Sequence, residues 1–359
     1  MATKRRKRQP EPRESRTPLP RPRPGPVSRP AAVASPAAPI AASRSGAPAF
    51  RRADILHLAL LLGALALSYL LPFELLVLSY TVLGPAHYLT EISWLHDRKY
   101  FLPHRGIALL LGLTAVGAMF MADPFWLGVL ISACFVVCAI LATARSRLGA
   151  VAFLVIAASS FALLSRLEVP FGIAWVLLPT VIHVSVFTLV FMTVGALRSR
   201  SVAQFALIAI YLSAIGVILV LPPSAATVVP LLAEIGKTYF GDIAPALGAA
   251  FGIPHLTFDA RITGLLSFVY TYHYLNWFIK ADVIRWAAVP KPRLAAIAVL
   301  SLAATGLYLY NYVYGFLVLF LLSLMHVLLE FPLNSISIRQ LGAAIGGSLL
   351  RPARAISER

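Results

Sequence analysis

Three times the chain sets a histidine four residues ahead of a carboxylate inside otherwise apolar sequence. The pairs are His87 with Glu91 in GPAHYLTEI, His255 with Asp259 in GIPHLTFDA, and His326 with Glu330 in LMHVLLEFP. On a helix that spacing puts both side chains on one face, one turn apart. Imidazole beside carboxylate serves either ligation of a hard or borderline metal ion or a proton relay. The first two pairs also share the frame Gly-x-x-His-x-x-x-acid, beginning at Gly84 and Gly252. A further imidazole, His273, lies in YTYHYLNWF, where Tyr270, Tyr272, Tyr274 and Trp277 supply an aromatic wall for an apolar substrate.

Together these residues form a set of neutral nitrogen and anionic oxygen donors. Such a set suits non-haem iron, with zinc and manganese behind it. The metal ligands expected are His87, His255, His273 and His326; Glu91, Asp259 and Glu330 would bind directly or orient the imidazoles, as metal-bound histidines usually require. Soft sulfur is absent from the set, because Cys134 and Cys138 share a different apolar run and read as two packed thiols. His183, alone in VIHVSVF, reads as a core histidine, and His57, His96 and His104 as loop or headgroup residues.

The elements that must carry these residues are membrane helices. Hydrophobic residues make up 59% of the chain and charged residues 13%, far below the roughly 25% charged content of soluble domains. The net charge of +17 is concentrated in residues 1–52, which hold 13 Lys and Arg against Glu11 and Glu14, together with 11 of the 26 prolines. A nucleic-acid partner is therefore not expected. The segment reads as a disordered basic tail, unable to bury enough apolar surface to offset its ordering entropy. Its long cationic stretch runs straight into a full-length span, which argues against a signal peptide. On the cytoplasmic side its charges would meet anionic lipid headgroups.

Apolar runs of spanning length fall at about 54–71, 73–95, 105–122, 125–144, 148–165, 171–197, 202–221, 262–281, 293–311 and 313–331. The expected fold is all-α, a polytopic bundle of about ten transmembrane helices over residues 53–334, with a basic C-terminal tail at 335–359. Lys and Arg cluster in alternate loops, which places both termini in the cytoplasm and suits a bacterial inner membrane. Residues 222–261, broken by five prolines and four glycines, read as a re-entrant or interfacial segment. Pro332 is expected to end the last span.

With that topology, spans two, six, eight and ten run in one direction, and His87, His183, His273 and His326 reach compatible depths. His255 lies 18 residues before His273, about 27 Å along a straight helix. It joins the others only if the chain before it folds back into the membrane.

The stretch GIPHLTFDARITGLLSFVYTYHYLNWF resembles the Brp/Blh family of membrane beta-carotene dioxygenases. The likeness rests on Pro254, His255 and Asp259 in one motif and on His273 with Tyr270, Tyr272 and Trp277 in the other. Leu256 stands where the family has a glycine, Trp277 stands where it has a second histidine, and the two motifs lie closer together here. The resemblance implies a histidine-ligated iron and a lipophilic substrate such as a carotenoid. Two other functions fit the same residues: a transporter or channel with an intramembrane proton or cation pathway, and haem ligation by two of His87, His183, His273 and His326.

Overall fold

The computed structural model describes residues 52–121, 123–144, 146–164, 181–223, 260–280 and 286–349. Every regular element among them is helical: α1 (Arg52–Leu70), α2 (Pro72–Leu78), α3 (Gly84–Asp97), α4 (Arg105–Ala118), α5 (Pro124–Thr143), α6 (Arg147–Leu164), α7 (Thr188–Ser199), α8 (Val202–Val220), α9 (Ala260–Ile279), α10 (Lys291–Tyr310) and α11 (Tyr312–Leu349). Two π-helical segments, Ser79–Leu83 and His183–Phe187, lead into α3 and α7.

Both π-helical turns lie next to residues of the histidine set, and the first has a cause in the sequence. Pro85 lacks the N–H that would bond the carbonyl of Thr81, four residues back. Thr305 of α10 supplies the missing donor, its Oγ1 lying 2.8 Å from that carbonyl. The widened turn thus fixes α10 against the start of α3. Gly84 is needed at the same place, because a Cβ there would press on the Tyr88 ring at 3.1–3.2 Å.

Four segments run parallel through the centre. His87 of α3 faces His273 of α9 and, three residues on, Thr90 meets Trp277. His183 faces His326 and Arg198 of α7 meets Gln340 of α11. One apolar core gathers α3, α4, α5 and α11 around Leu95, Leu111, Cys138 and Leu328. Another gathers α1, α8 and α9 around Leu61, Tyr211 and Phe268.

Among the described residues, five helical stretches are long and apolar enough to cross a membrane: α1, residues 126–143, α8, α10 and residues 312–346. The ten spans expected from the sequence are not all of that kind. The run at 73–95 is divided by its π-helical segment, α9 carries too many tyrosines and polar groups, and residues 165–180 lie outside those described. Three shorter apolar helices accompany the five. Leu109, Leu110 and Leu113 of α4 are each about 60% exposed or more, a leucine face that water would not favour.

Pro332 does not end the last helix. It sits inside α11, whose 38 residues extend for about 57 Å, well beyond a hydrocarbon core of about 30 Å. Packing against α3, α4, α5, α7 and α10 offsets the hydrogen bond that proline removes. The turn into α11 is tight: a Cβ on Gly315 would fall on the backbone of Tyr308, so only glycine fits.

Candidate metal centre

Each histidine of the centre sits on a different parallel segment, and each is buried. His87 comes from α3, His183 from the second π-helical segment, His273 from α9 and His326 from α11. Their rings form a closed quadrilateral, with centroid separations of 4.7 Å for His87 and His273, 5.0 Å for His273 and His183, 4.9 Å for His183 and His326, and 5.4 Å for His326 and His87. The nitrogens meet end to end. His87 Nε2 lies 3.1 Å from His273 Nε2, and His326 Nε2 lies 3.2 Å from His183 Nε2.

Two glutamates close one end of the ring. Glu91 Oε2 is 3.1 Å from His87 Nε2, and Glu330 Oε2 is 3.0 Å from His183 Nδ1. The second contact is too far off axis to be a hydrogen bond. The two carboxyl groups stand close enough to act on one another, and the half-buried Lys280 acts on both. His87, His183 and His273, and separately His87, Glu91 and His326, each place one ligand atom within 4.8 Å of the others.

This donor set fits a metal ion. Two nitrogens bound at about 2.1 Å to one ion, at an angle near 95–100°, would stand about 3.1–3.2 Å apart. Thr188 Oγ1 lies 2.7 Å from His273 Nδ1, as donor or acceptor. With the imidazole hydrogen on Nδ1 donated to that hydroxyl, the Nε2 lone pair points into the ring.

The other end of the ring is aromatic and uncharged. Tyr88 stacks on His326 at 4.3 Å, and its hydroxyl lies 2.6 Å from that of Tyr274. Tyr274 approaches His87 at 5.0 Å; Trp277, one turn beyond His273 on the glutamate side, approaches it at 5.5 Å. Trp277 Nε1 donates to Thr90 Oγ1, which holds the indole in place. Tyr270 continues the wall, 5.9 Å from Tyr274.

Of the residues singled out in the sequence, the structure brings together His87, Glu91, His273, Tyr274, Trp277, His326 and Glu330. Tyr272 faces elsewhere, packing on Tyr211 and Phe268, because adjacent helix positions differ by about 100°. His255 and Asp259 lie outside the described residues. His183, read from the sequence as a core histidine, takes the fourth corner of the ring. The signal was present, since a histidine in an apolar run is a functional hint by default, but it lacks the acid four residues on. Its acid, Glu330, comes from another helix. Thr188 and Asn334 had no sequence signal.

No family model, curated protein or solved structure matches the chain.

Proposed function

We propose that the chain is a membrane-embedded metalloenzyme in which His87, His183, His273 and His326 bind one divalent ion. The observation that carries this reading is the convergence of four buried imidazoles, nitrogen to nitrogen, from four separate segments. Charge supports it as well. Burying Glu91 and Glu330 side by side costs several kcal/mol per ion unless cations compensate; Lys280 offsets part of that charge, and a divalent ion would offset the rest.

Non-haem iron is the ion best matched to a histidine-rich, sulfur-free set, and it agrees with the family resemblance of the 252–278 stretch. Bound iron would supply dioxygen activation. The protein's own part is to place Glu91 beside the metal-facing nitrogen of His87 as a further ligand, to set Glu330 against His183 Nδ1, to set the His273 tautomer with Thr188, and to exclude water. Tyr274, Trp277 and Tyr270 would line the path of a carotenoid or another lipophilic substrate, and the reaction class is oxygenation. The setting we propose is a ten-span bundle in a bacterial inner membrane, both termini cytoplasmic, with the basic tail against anionic headgroups.

Four imidazoles gathered nitrogen to nitrogen at one depth favour this reading over a proton or cation pathway, whose groups would be spread along the bundle. They also disfavour haem, since imidazoles whose nitrogens nearly touch leave no slot for a planar macrocycle between them. The test is metal analysis of detergent-purified protein. About one iron per chain is expected, falling to background in the His87→Ala/His273→Ala variant while helical circular dichroism is retained. Metal-free wild type, unchanged iron in the variant, or a Soret band would each overturn the proposal.

A further inference from the structure

Beyond Glu330 the polar face of α11 continues where no sequence motif marks it. His326, Glu330, Asn334 and Ser337 follow one another at helical spacing, and all four are buried. Asn334 is 0% exposed. In a helix this apolar, a primary amide in the interior is costly unless both its ends are satisfied. Asn334 stands near enough to the Glu330 carboxyl to act on it, yet neither Nδ2 nor Oδ1 meets hydrogen-bond geometry with any protein group, and Glu330 Oε2 is likewise without a hydrogen bond.

That leaves one donor and two acceptors, three buried polar atoms one helical turn apart. An apolar ligand would satisfy none of them. A cation would meet the amide N–H face on, and an anion would meet the carboxyl oxygen. A group that both donates and accepts fits them, which is what an O–H offers. A water, with two hydrogens, can serve all three, as buried waters make about three hydrogen bonds to groups otherwise unsatisfied; a hydroxyl on a lipophilic molecule, with one hydrogen to donate, would serve two of them.

We infer that Asn334, together with Glu330, forms a binding site for an O–H group, either a bound water or the hydroxyl of a lipophilic alcohol, one turn beyond the histidine ring. Its role as a co-substrate or substrate anchor rests on the metalloenzyme reading; the binding itself does not. If the alcohol is the ligand, the substrate class narrows from any lipophile to an oxygenated one. Further along α11, Arg198 meets Gln340 and Arg339 meets the Thr143 carbonyl.

The test uses the full chain in lipid nanodiscs, with Asn334→Leu as the isosteric apolar variant. Radiolytic hydroxyl labelling read by mass spectrometry reports water held against buried side chains. Labelling of residues 330–337 in wild type that disappears in Asn334→Leu identifies a water. Failing that, dodecanol is compared with dodecane: a higher unfolding temperature with the alcohol than with the alkane, in wild type only, identifies the hydroxyl of a lipophile. Absence of both signals, or both persisting unchanged in the variant, overturns the inference. If Asn334→Leu does not fold, Asn334→Ser, which keeps one O–H but shortens the reach, is expected to weaken either signal. Metal content is measured alongside: metal-free wild type that still shows the label or the alcohol preference removes the metalloenzyme reading and leaves this site standing.

Discussion

The two ends of the histidine ring are built from opposite chemistry. At one end Glu91, Glu330, Asn334 and Lys280 supply charge and unpaired hydrogen-bonding atoms. At the other, Tyr88, Tyr274 and Tyr270 present phenols; the Tyr88 and Tyr274 hydroxyls pair with each other, and Ser79 bonds Thr271 at 2.6 Å. Apart from the half-buried Lys280, the residues of both ends are buried, so depth does not explain the contrast. A charge in low dielectric demands a counter-charge, whereas a hydroxyl pair demands nothing further. The acid end therefore suits a cation, as the proposed function requires, and the tyrosine end presents a neutral wall.

The largest effect that would sharpen this contrast is at the acid end. Glu91→Gln/Glu330→Gln is expected to leave the fold but remove the compensating charge, so metal retained after dialysis should fall to background. Glu330→Gln alone should lower affinity by about 10- to 100-fold, the usual cost of disturbing a group that orients a ligand. Metal titration followed by elemental analysis reads both. Retention of full affinity by the double variant would mean the carboxylates are packing groups and the contrast is accidental. Smaller, at about tenfold, is Thr188→Val, which keeps shape and loses the bond to His273 Nδ1; rescue by Thr188→Ser would tie the loss to the hydroxyl.

How much of this could be read in advance depends on where each signal lies along the chain. His87 with Glu91 and His326 with Glu330 were legible because each pair occupies one helix, where sequence spacing and spatial spacing coincide. The shared direction of the segments followed from counting apolar runs. His183 was misread because its carboxylate partner belongs to α11, and no local pattern records a partner 147 residues away. Tyr272 was misread for the converse reason: its neighbours in sequence face the ring, and a single step along the helix turns it away. Pro332 inside α11 shows tertiary contacts overriding a local stop signal. Gly84 was noticed as part of a frame, but its reason, the room it leaves for Tyr88, is a packing fact.

The smallest effects belong to the tyrosine end, and they separate a neutral wall from a working part of the centre. Tyr88→Phe removes one hydroxyl of a 2.6 Å pair and strands that of Tyr274, which should destabilise by about 1–3 kcal/mol, the cost of an unsatisfied buried polar group. Tyr274→Phe should cost less, because Ser323 remains a partner for the Tyr88 hydroxyl. Removing both hydroxyls strands nothing between them, so the double variant should be less destabilised than the two singles added together, a coupling that thermal or denaturant unfolding would read as a double-mutant cycle. Metal affinity should stay at the wild-type value in all three. A loss of metal at Tyr88→Phe would instead mean that the phenol stacked on His326 orients that ligand, and the boundary between the two ends would have to be drawn on the far side of Tyr88.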